Sequence, residues 1–288
     1  MRRIAALLLA VPVLLPFGTH ASAPAVRGTP FTNDAWVMDR AASRIGVIAT
    51  TVFSRVHGGV VTHHIPNGAP LIAEFYARLA TSQNVTTFVI LAPDHFERGR
   101  AAVTVSRSAF ATPFATLQPD AEFIAGLEAS GLVTYDEGPF DDHSIHSQVL
   151  GIARYFPKAE IVPVLIRSKT RNDDAVALGR LIASLSGPGT FVVGSVDFSH
   201  YLGAERAFPL DEHSARTLAL MRPDLAGVAE ADSPQSLTAL MTAVTAMGAR
   251  SAQTVGVYNS DRYSGGLRTV TTGYVLQYYG SGSRLVSR

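Results

Sequence analysis

Residues 60–70 read VVTHHIPNGAP, in which an apolar run of β-branched residues ends at two adjacent histidines. Residues 86–95 read TTFVILAPDH, and this second apolar run also ends at polar side chains, Asp94 and His95. Continuous apolar runs of about four to eight residues are typical of strands buried on both faces of a parallel sheet. We therefore expect two buried strands that each present imidazole or carboxylate groups at their carboxyl ends.

The rest of the chain alternates between strand and helix patterns. Apolar runs predict strands at about 59–63, 86–92, 101–106, 131–135, 160–166 and 190–196, with two late strands near 253–259 and 268–279. Amphipathic patterns predict helices at about 69–81, 120–129, 143–155, 173–186, 210–221 and 235–248. This alternation predicts an α/β fold with a mostly parallel sheet that helices cover on both faces. We expect one domain over residues 44–280, a loosely ordered lead-in over residues 24–43 and a frayed tail over residues 281–288.

The first 23 residues have the layout of a secretory signal peptide. Two arginines precede an apolar stretch over residues 4–17, and Ala21-Ser22-Ala23 gives an A-x-A cleavage pattern. The apolar stretch is short for a membrane span and carries two prolines. We predict cleavage near Ala23 and export to the periplasm or the extracellular space. The alternative is an uncleaved anchor, which would bring the chain to the membrane.

Composition excludes several classes of function. Removing residues 1–23 takes two of the 24 basic residues and none of the 23 acidic ones, which leaves a net charge of −1 and no basic run. Binding to nucleic acid is therefore not expected. The chain has no cysteine, so any metal must be held by nitrogen and oxygen ligands.

Further polar residues follow the other predicted strands or precede the predicted helices. The segment TFVVGSVDFSHY, residues 190–201, places Asp197, Ser199 and His200 after a strand. In an open parallel sheet, ligands bind outside the carboxyl ends of the strands, and helix N-termini point to the same rim. Ten residues therefore map to one edge of the predicted sheet: His63, His64, Asp94, His95, Asp142, His143, Asp197, Ser199, His200 and Asp232.

This clustering points to a metal site or an acid–base site. Isolated buried imidazoles are costly unless they are hydrogen-bonded or bind a metal. Without sulfur, a set of two histidines and a carboxylate suits iron(II), zinc, copper or manganese. Two histidines and one carboxylate on one face are the arrangement of non-haem iron enzymes.

Some of these residues have a structural alternative. Asp142 and Asp232 each precede a predicted helix and could be N-caps. Asp94 could hydrogen-bond its own turn. His146 lies one helical turn after His143 and is expected to be exposed.

Other chemistry is less well supported. Ser199 lies beside Asp197 and His200, but no G-x-S-x-G motif surrounds it, and neighbours in sequence rarely face each other as a triad. His57 and His213 look like surface histidines.

Four motifs resemble the Memo family, which includes protein B of the AmmeMemoRadiSam system. They are VVTHH, VILAPDHF, DDHSIHSQ and GSVDFSHY, in that order and spacing, and the resemblance spans roughly residues 58–280. It implies a three-layer α/β/α domain related to the class III extradiol dioxygenases, with a metal at the strand ends. By motif position it implies that His63 and His95 are the histidine ligands.

The third ligand differs from that of the animal Memo proteins, in which a cysteine precedes the penultimate helix. Counting back from that helix places Asp232 near the cysteine position, with Glu230 close by. An oxygen donor there would favour iron(II) or zinc over copper.

The resemblance and the residues together suggest an exported metal-binding protein that acts as a non-haem metal-dependent redox enzyme on an unknown substrate. His63, His95 and Asp232 would hold the metal, and His143, His200 and Asp197 would be the catalytic residues. His64, Asp94, Asp142 and Ser199 would complete the pocket. Two alternatives stay open: a non-enzymatic module that binds a small molecule or a peptide, and a zinc-dependent hydrolase.

Overall fold

The computed structural model describes residues 23–28, 32–46, 48, 50–264 and 269–283, so the predicted signal peptide lies almost entirely outside it. Within these ranges the strands are β1 (Val26–Gly28), β2 (Arg55–Val61), β3 (Thr87–Pro93), β4 (Val103–Val105), β5 (Ala109–Ala111), β6 (Thr116–Pro119), β7 (Thr134–Tyr135), β8 (Glu160–Ile166), β9 (Thr190–Ser195), β10 (His200–Leu202), β11 (Ser251–Asn259) and β12 (Thr271–Ser281). The helices are α1 (Thr32–Ala42), α2 (Ala69–Ser82), α3 (Ala121–Ala129), α4 (His143–Tyr155), α5 (Asn172–Leu185), α6 (Ala204–Ala219), α7 (Pro223–Ala226), α8 (Pro234–Ala246) and α9 (Asp261–Ser264).

The strands form a mixed sheet with a parallel centre. The order is β1-β5-β6-β8-β3-β9-β2-β12-β10, with β11 also on β12 and β4 joining β8 to β7. Strands β8, β3, β9 and β2 are parallel neighbours, and β12 adds to β2 in the antiparallel direction. Every residue of β3 is buried, as the continuous apolar run over these residues predicts.

Helices cover both faces of the sheet and form two apolar cores. On one face α1, α2 and α4 pack over an aromatic group in which the rings of Phe75 and Tyr278 stack with centroids 4.8 Å apart. On the other face α3, α5, α6 and α8 pack around buried aliphatic side chains such as Leu240 and Val244. The prediction of an α/β fold with three layers and a mostly parallel sheet is confirmed.

The described residues of the predicted lead-in, 24–28 and 32–43, contain a strand and a helix, which the sequence pattern did not predict. Strand β1 pairs in parallel with β5, and α1 packs against α2 and α4. Ala35 and Met38 are one helical turn apart and both are buried, so they form a short apolar stripe that docks this helix. This stripe is too short to stand out in a sequence pattern.

The remaining differences concern element ends and short strands. Helix α6 begins six residues before the predicted start and contains Pro209. Strands β5, β6 and β10 are three or four residues long and were not predicted. Strand β12 extends to Ser281, into the predicted tail, whose residues 284–288 lie outside the described ranges. No helix in the described part of the chain has both the length and the apolar character needed to span a membrane.

The strand order determines where the polar strand ends meet. Strand β9 lies between β3 and β2, and all three run in the same direction. The residues that follow them, His63 after β2, His95 after β3 and Asp197 after β9, therefore leave the sheet at one edge.

Two further histidines, predicted to be at the surface, are buried. His57 lies in β2, and its Nε2 is 3.0 Å from the hydroxyl of Ser281. His146 lies in α4, with its Nε2 3.2 Å from the carbonyl oxygen of Phe140. Burial is the main cause that lowers the pKa of both side chains to about 4.

These pKa values predict that acid destabilises the fold. An unfolded histidine has a pKa of about 6.5, so between pH 6.5 and 4 the unfolded state binds more protons than the folded state, and stability falls as the pH falls. Between pH 7.5 and 4.5 each buried histidine should remove about 2 kcal/mol from the free energy of unfolding. In urea unfolding, the free energy of unfolding of His57→Gln and of His146→Gln should therefore fall by about 2 kcal/mol less than that of the parent protein over this pH range. The exposed His213→Gln is the matched control, and an equal loss in all three variants would contradict the prediction.

Candidate metal centre

Three side-chain atoms from distant parts of the chain converge at the edge of the sheet. Nε2 of His63 lies 3.2 Å from Oδ2 of Asp232, and Nε2 of His95 lies 3.6 Å from the same oxygen. In a tetrahedral zinc site the ligand atoms are about 2.0–2.2 Å from the metal, which places them about 3.3 Å from one another. The two distances from this oxygen are close to that value, so each histidine nitrogen is spaced from Oδ2 of Asp232 as two ligands of one ion would be.

Oδ2 of Asp232 is buried and accepts no hydrogen bond of acceptable geometry. Its other oxygen, Oδ1, accepts from the backbone N–H of Asp197 at 3.2 Å. A buried carboxylate oxygen without a donor is costly. A cation between Oδ2 and the two imidazoles would remove this cost.

The hydrogen bonds around His63 fix which ring nitrogen carries a proton. The hydroxyl of Ser195 donates to the carbonyl of Ser144 at 2.6 Å and accepts from the amide of Gln148 at 3.0 Å. Since its hydrogen is used, Ser195 can only accept from Nδ1 of His63, which lies 3.3 Å away. A neutral His63 is therefore protonated on Nδ1 and directs the lone pair of Nε2 towards Asp232.

His95 is oriented in the same way by Asp142. The carboxylate of Asp142 accepts from Nδ1 of His95 at 2.9 Å and from the backbone N–H of His95 at 3.0 Å. It also accepts from the backbone N–H of Ser144 at 3.0 Å and so caps α4. Asp142 is thus both the N-cap and the partner of His95, which combines the two alternatives raised by the sequence.

Two imidazole lone pairs facing one carboxylate repel it unless a positive charge intervenes. Without a metal, a second proton on each ring supplies that charge. Burial opposes this protonation, but the hydrogen bond to Asp142 and the negative charges of Asp142 and Asp232 raise the pKa of His95 to about 10. The charges of Asp197 and Asp232 likewise outweigh burial and raise the pKa of His63. A divalent cation would displace these protons, as metal binding to histidine does in general.

His143 and Asp197 complete the centre. The ring of His143 stacks on that of His95, with centroids 4.3 Å apart, and its side chain is 42% exposed. Burial and then the charges of His63 and His95 lower the pKa of His143 to about 4. Among the described residues, two groups bring ligand atoms within 4.8 Å of one another: His63, His95 and His143; and His63, Asp197 and Asp232. The set of His63, His95 and Asp232 draws on both groups and is joined through the contacts of the two histidines with Oδ2 of Asp232.

Asp197 holds His63 and Asp232 in place. Its Oδ1 accepts from the hydroxyl of Thr62 and from the backbone N–H of His63, and its Oδ2 lies 3.6 Å from Nε2 of His63. Its backbone carbonyl accepts from the N–H of Asp232 at 3.0 Å. These contacts join the ends of β2 and β9 to the loop before α8.

A cavity of about 380 Å³ opens beside the centre. It is lined by His63, His64, His95, His143, Asp197, His200, Tyr201, Ser260, Val270, Thr271 and Thr272. His64 turns away from the three converging atoms, and its Nδ1 lies 2.8 Å from the hydroxyl of Tyr274. Of the two tandem histidines, His63 is therefore the one that faces the centre. Glu230 is exposed and belongs to neither ligand group, so Asp232 is the carboxylate at this position.

Ser199 does not line the cavity, contrary to the sequence prediction. Its hydroxyl donates to Oδ2 of Asp211 at 3.0 Å, and its N–H donates to Oδ1 at 2.9 Å. The side chain is thus held by α6 and is not available as a nucleophile towards His200. Adjacent residues on an extended segment point in opposite directions, which explains why Ser199 and His200 separate.

Asp94 is also held by its own loop. Its carboxylate accepts from the N–H groups of Arg98 at 3.1 Å and Gly99 at 2.7 Å. It lines a second cavity, of about 240 Å³, that contains Asp232 and shares only His95 with the first. Its position is next to the centre, and its hydrogen bonds are those of a turn.

Sequence reasoning missed several residues that support the centre. Ser195 ends β9 two residues before Asp197 and carries the same signal, a polar residue at the end of a buried strand. Gln148 lies in α4 two residues after His146, and a buried amide within a helix gives no distinctive sequence pattern. Tyr274 comes from the antiparallel strand β12, to which the rule for parallel strand ends does not apply.

The double role of Asp142 gives a testable prediction. Asparagine caps helices as well as aspartate does, but it cannot supply the charge that orients His95 and makes it a better ligand. Asp142→Asn should therefore weaken metal binding about 10- to 100-fold, measured by competition with a chelating indicator, with little change in the melting temperature. Asp120→Asn, at the N-cap of α3 and outside the centre, is the matched control. Unchanged metal affinity in Asp142→Asn would contradict the assignment.

Comparisons with known proteins agree with this fold and show the family. A MEMO1 family protein of Methanosarcina mazei is 30% identical over 199 residues, which cover 65% of this chain and 73% of the relative. A second, from Methanosarcina acetivorans, is 32% identical over 162 residues, 54% of this chain and 58% of the relative. Among solved structures, an uncharacterized protein of Escherichia coli K12 has a TM-score of 0.50 at 13% identity, covering 79% of this chain and 100% of that one, a likeness of fold alone.

The family comparison covers the candidate centre itself. The profile of a family described as Memo-like protein matches residues 60–262. That range contains the three converging residues His63, His95 and Asp232, together with the residues that orient them. This chain is a member of the Memo-like protein family.

Proposed function

We propose that this chain is an exported metal-dependent enzyme in which His63, His95 and Asp232 hold a divalent metal, with redox chemistry on a small molecule as its reaction. The observation that carries the proposal is the convergence of two imidazole nitrogens on an unpartnered, buried carboxylate oxygen. Neither histidine can turn its other nitrogen to that oxygen, because Nδ1 of His63 is bound by Ser195 and Nδ1 of His95 is bound by Asp142.

The donor set favours iron(II) or zinc, with copper as a weaker candidate. Two imidazoles and one carboxylate, without a thiolate, suit the harder divalent metals. When bound, iron would supply redox chemistry at open coordination positions, and zinc would supply Lewis-acid chemistry. The cavity beside the centre provides room for a small ligand next to the metal.

The side chains around the cavity suit proton transfer. His143 is partly exposed and lines the cavity, so its neutral imidazole is placed to accept a proton from a substrate hydroxyl. His200 lines the same cavity from β10 and is a second candidate. Asp197 contributes by holding His63, since one of its oxygens already accepts two hydrogen bonds.

Zinc-dependent hydrolysis is the second candidate function. It is favoured by the group of His63, His95 and His143, whose nitrogens lie within 4.8 Å of one another. Three histidines and an open position are the ligand set of several catalytic zinc sites. In that arrangement Asp197, which lines the cavity, would be a candidate general base.

The metal assignment predicts a separation between occupancy and stability. The protein should be purified without added metal and its metal content measured by elemental analysis. Asp232→Asn should lower occupancy at least tenfold and leave the melting temperature within a few degrees, because the residue that caps α8 is Ser233. His63→Ala and His95→Ala should also lose the metal, whereas His213→Ala, on the exposed face of α6, should retain it.

The identity of the metal then distinguishes the functions. Bound iron together with turnover of an oxidisable small molecule supports the redox enzyme. Bound zinc with esterase or amidase activity supports the hydrolase. A folded protein that takes up no divalent metal would contradict both and favour a binding module for a small molecule or peptide.

Export makes a separate prediction about the N-terminus. If the signal peptide is removed near Ala23, N-terminal sequencing of material secreted or released from the periplasm should begin near Pro24. Recovery of intact Met1 from a membrane fraction would contradict cleavage and support the uncleaved anchor.

A further inference from the structure

Tyr201 lies at the mouth of the cavity and is the most exposed large apolar residue in the described part of the chain. Its side chain is 83% exposed, yet it lines the same cavity as His63 and His143. Its ring lies 5.7 Å from that of His200 and belongs to neither apolar core. Burial therefore does not explain an aromatic residue at this position.

The backbone of Tyr201 is in an unfavourable conformation for a tyrosine. Its φ is +59°, in the left-handed region that glycine adopts readily and bulky residues rarely do. The pairing of β10 with β12 is irregular here, because His200 pairs with Thr272 and Leu202 pairs with Thr271. Tyr201 is the residue between them, so the exposed tyrosine lies at the irregularity itself. Such strain is often retained where it serves a site.

The cavity has a polar floor and an apolar mouth. Imidazoles line the floor next to the three converging atoms, whereas Tyr201 and Val270, which is 45% exposed, lie at the mouth. A ligand that reaches the metal with a pair of oxygens would place the part of the molecule behind those oxygens beside the ring of Tyr201. A flat ring at that point would stack on the tyrosine, whereas a small alkyl group would not.

We propose that Tyr201 is a specificity-determining residue, a platform by which the site prefers ligands that carry a planar ring next to their metal-binding oxygens. The proposal rests on the proposed function, because it requires a metal with open positions at His63, His95 and Asp232. Tyr201 acts on the ligand alone and contributes nothing to holding the metal.

Two hydroxamates test the platform without knowledge of the natural substrate. Benzohydroxamate and acetohydroxamate bind a metal through the same pair of oxygens, and only the first carries a ring. The zinc- or cobalt-loaded protein should bind benzohydroxamate about five- to tenfold more tightly than acetohydroxamate, the range expected for one aromatic contact. Tyr201→Phe should keep this preference. Tyr201→Gly should abolish it while leaving the Kd of acetohydroxamate and the affinity for the metal unchanged.

The melting temperature separates this role from a structural one. Because glycine is at ease at positive φ and little packing is lost, Tyr201→Gly should melt at the same temperature as the parent or about 2 °C higher. Met221→Gly is the matched control, since Met221 also has a positive φ, +55°, but lies in the turn after α6. It should leave the preference for benzohydroxamate unchanged.

Three results would overturn the platform: equal affinity of the parent protein for both hydroxamates, a preference that survives in Tyr201→Gly, or a melting temperature lowered by more than about 5 °C in that variant. Failure of both hydroxamates to bind the metal-loaded protein would overturn the proposed function as well. Failure of the platform alone would leave the metal centre and the proposed function intact.

Discussion

The arrangement on which the rest of the centre depends is a buried carboxylate oxygen, Oδ2 of Asp232, that faces Nε2 of His63 and of His95. Each imidazole has its other nitrogen bound, one by Ser195 and one by Asp142, so neither ring can turn away. The repulsion between the carboxylate and the two nitrogen lone pairs is then relieved in one of two ways. Either each ring carries an extra proton, or one cation lies between the three atoms. These three side chains can stay this close only because the surrounding structure holds each of them in position.

The fold holds these side chains in position through the strand ends and through hydrogen bonds that link the strand ends to a helix and a loop. The parallel order of β3, β9 and β2 brings His95, Asp197 and His63 to one edge of the sheet. Asp142 begins α4 and binds His95, while the backbone of Asp197 binds the loop that carries Asp232. Each of the three candidate ligands is thus held by a strand end or a helix start and by a residue from a different part of the chain, as preorganised metal sites require.

The sequence predicted those parts of the structure that follow a local rule. Buried strands that end in His63 and His95 are readable because apolar runs and parallel strand ends obey simple periodicity. Asp232 was placed at the same edge because it precedes a predicted helix, but only the family resemblance singled it out as a ligand. Two features were mispredicted because they depend on tertiary packing. Helix α1 docks through a short apolar stripe, and Ser199 is held by a hydrogen bond to Asp211. The irregular strand pairing at Tyr201 could not be predicted, because none of the residues there is of a type that indicates it.

A carboxylate ligand at Asp232 would also fit the compartment proposed for this protein. In the resemblance to animal Memo proteins, the position near Asp232 is a cysteine, and a thiolate ligand is open to oxidation. A carboxylate cannot be oxidised in that way or drawn into a disulfide, and this chain contains no cysteine anywhere. If the protein is exported as proposed, a centre of two imidazoles and one carboxylate keeps its ligands under oxidising conditions. It also changes the preferred metal, because the loss of sulfur removes the feature that most favours copper(I).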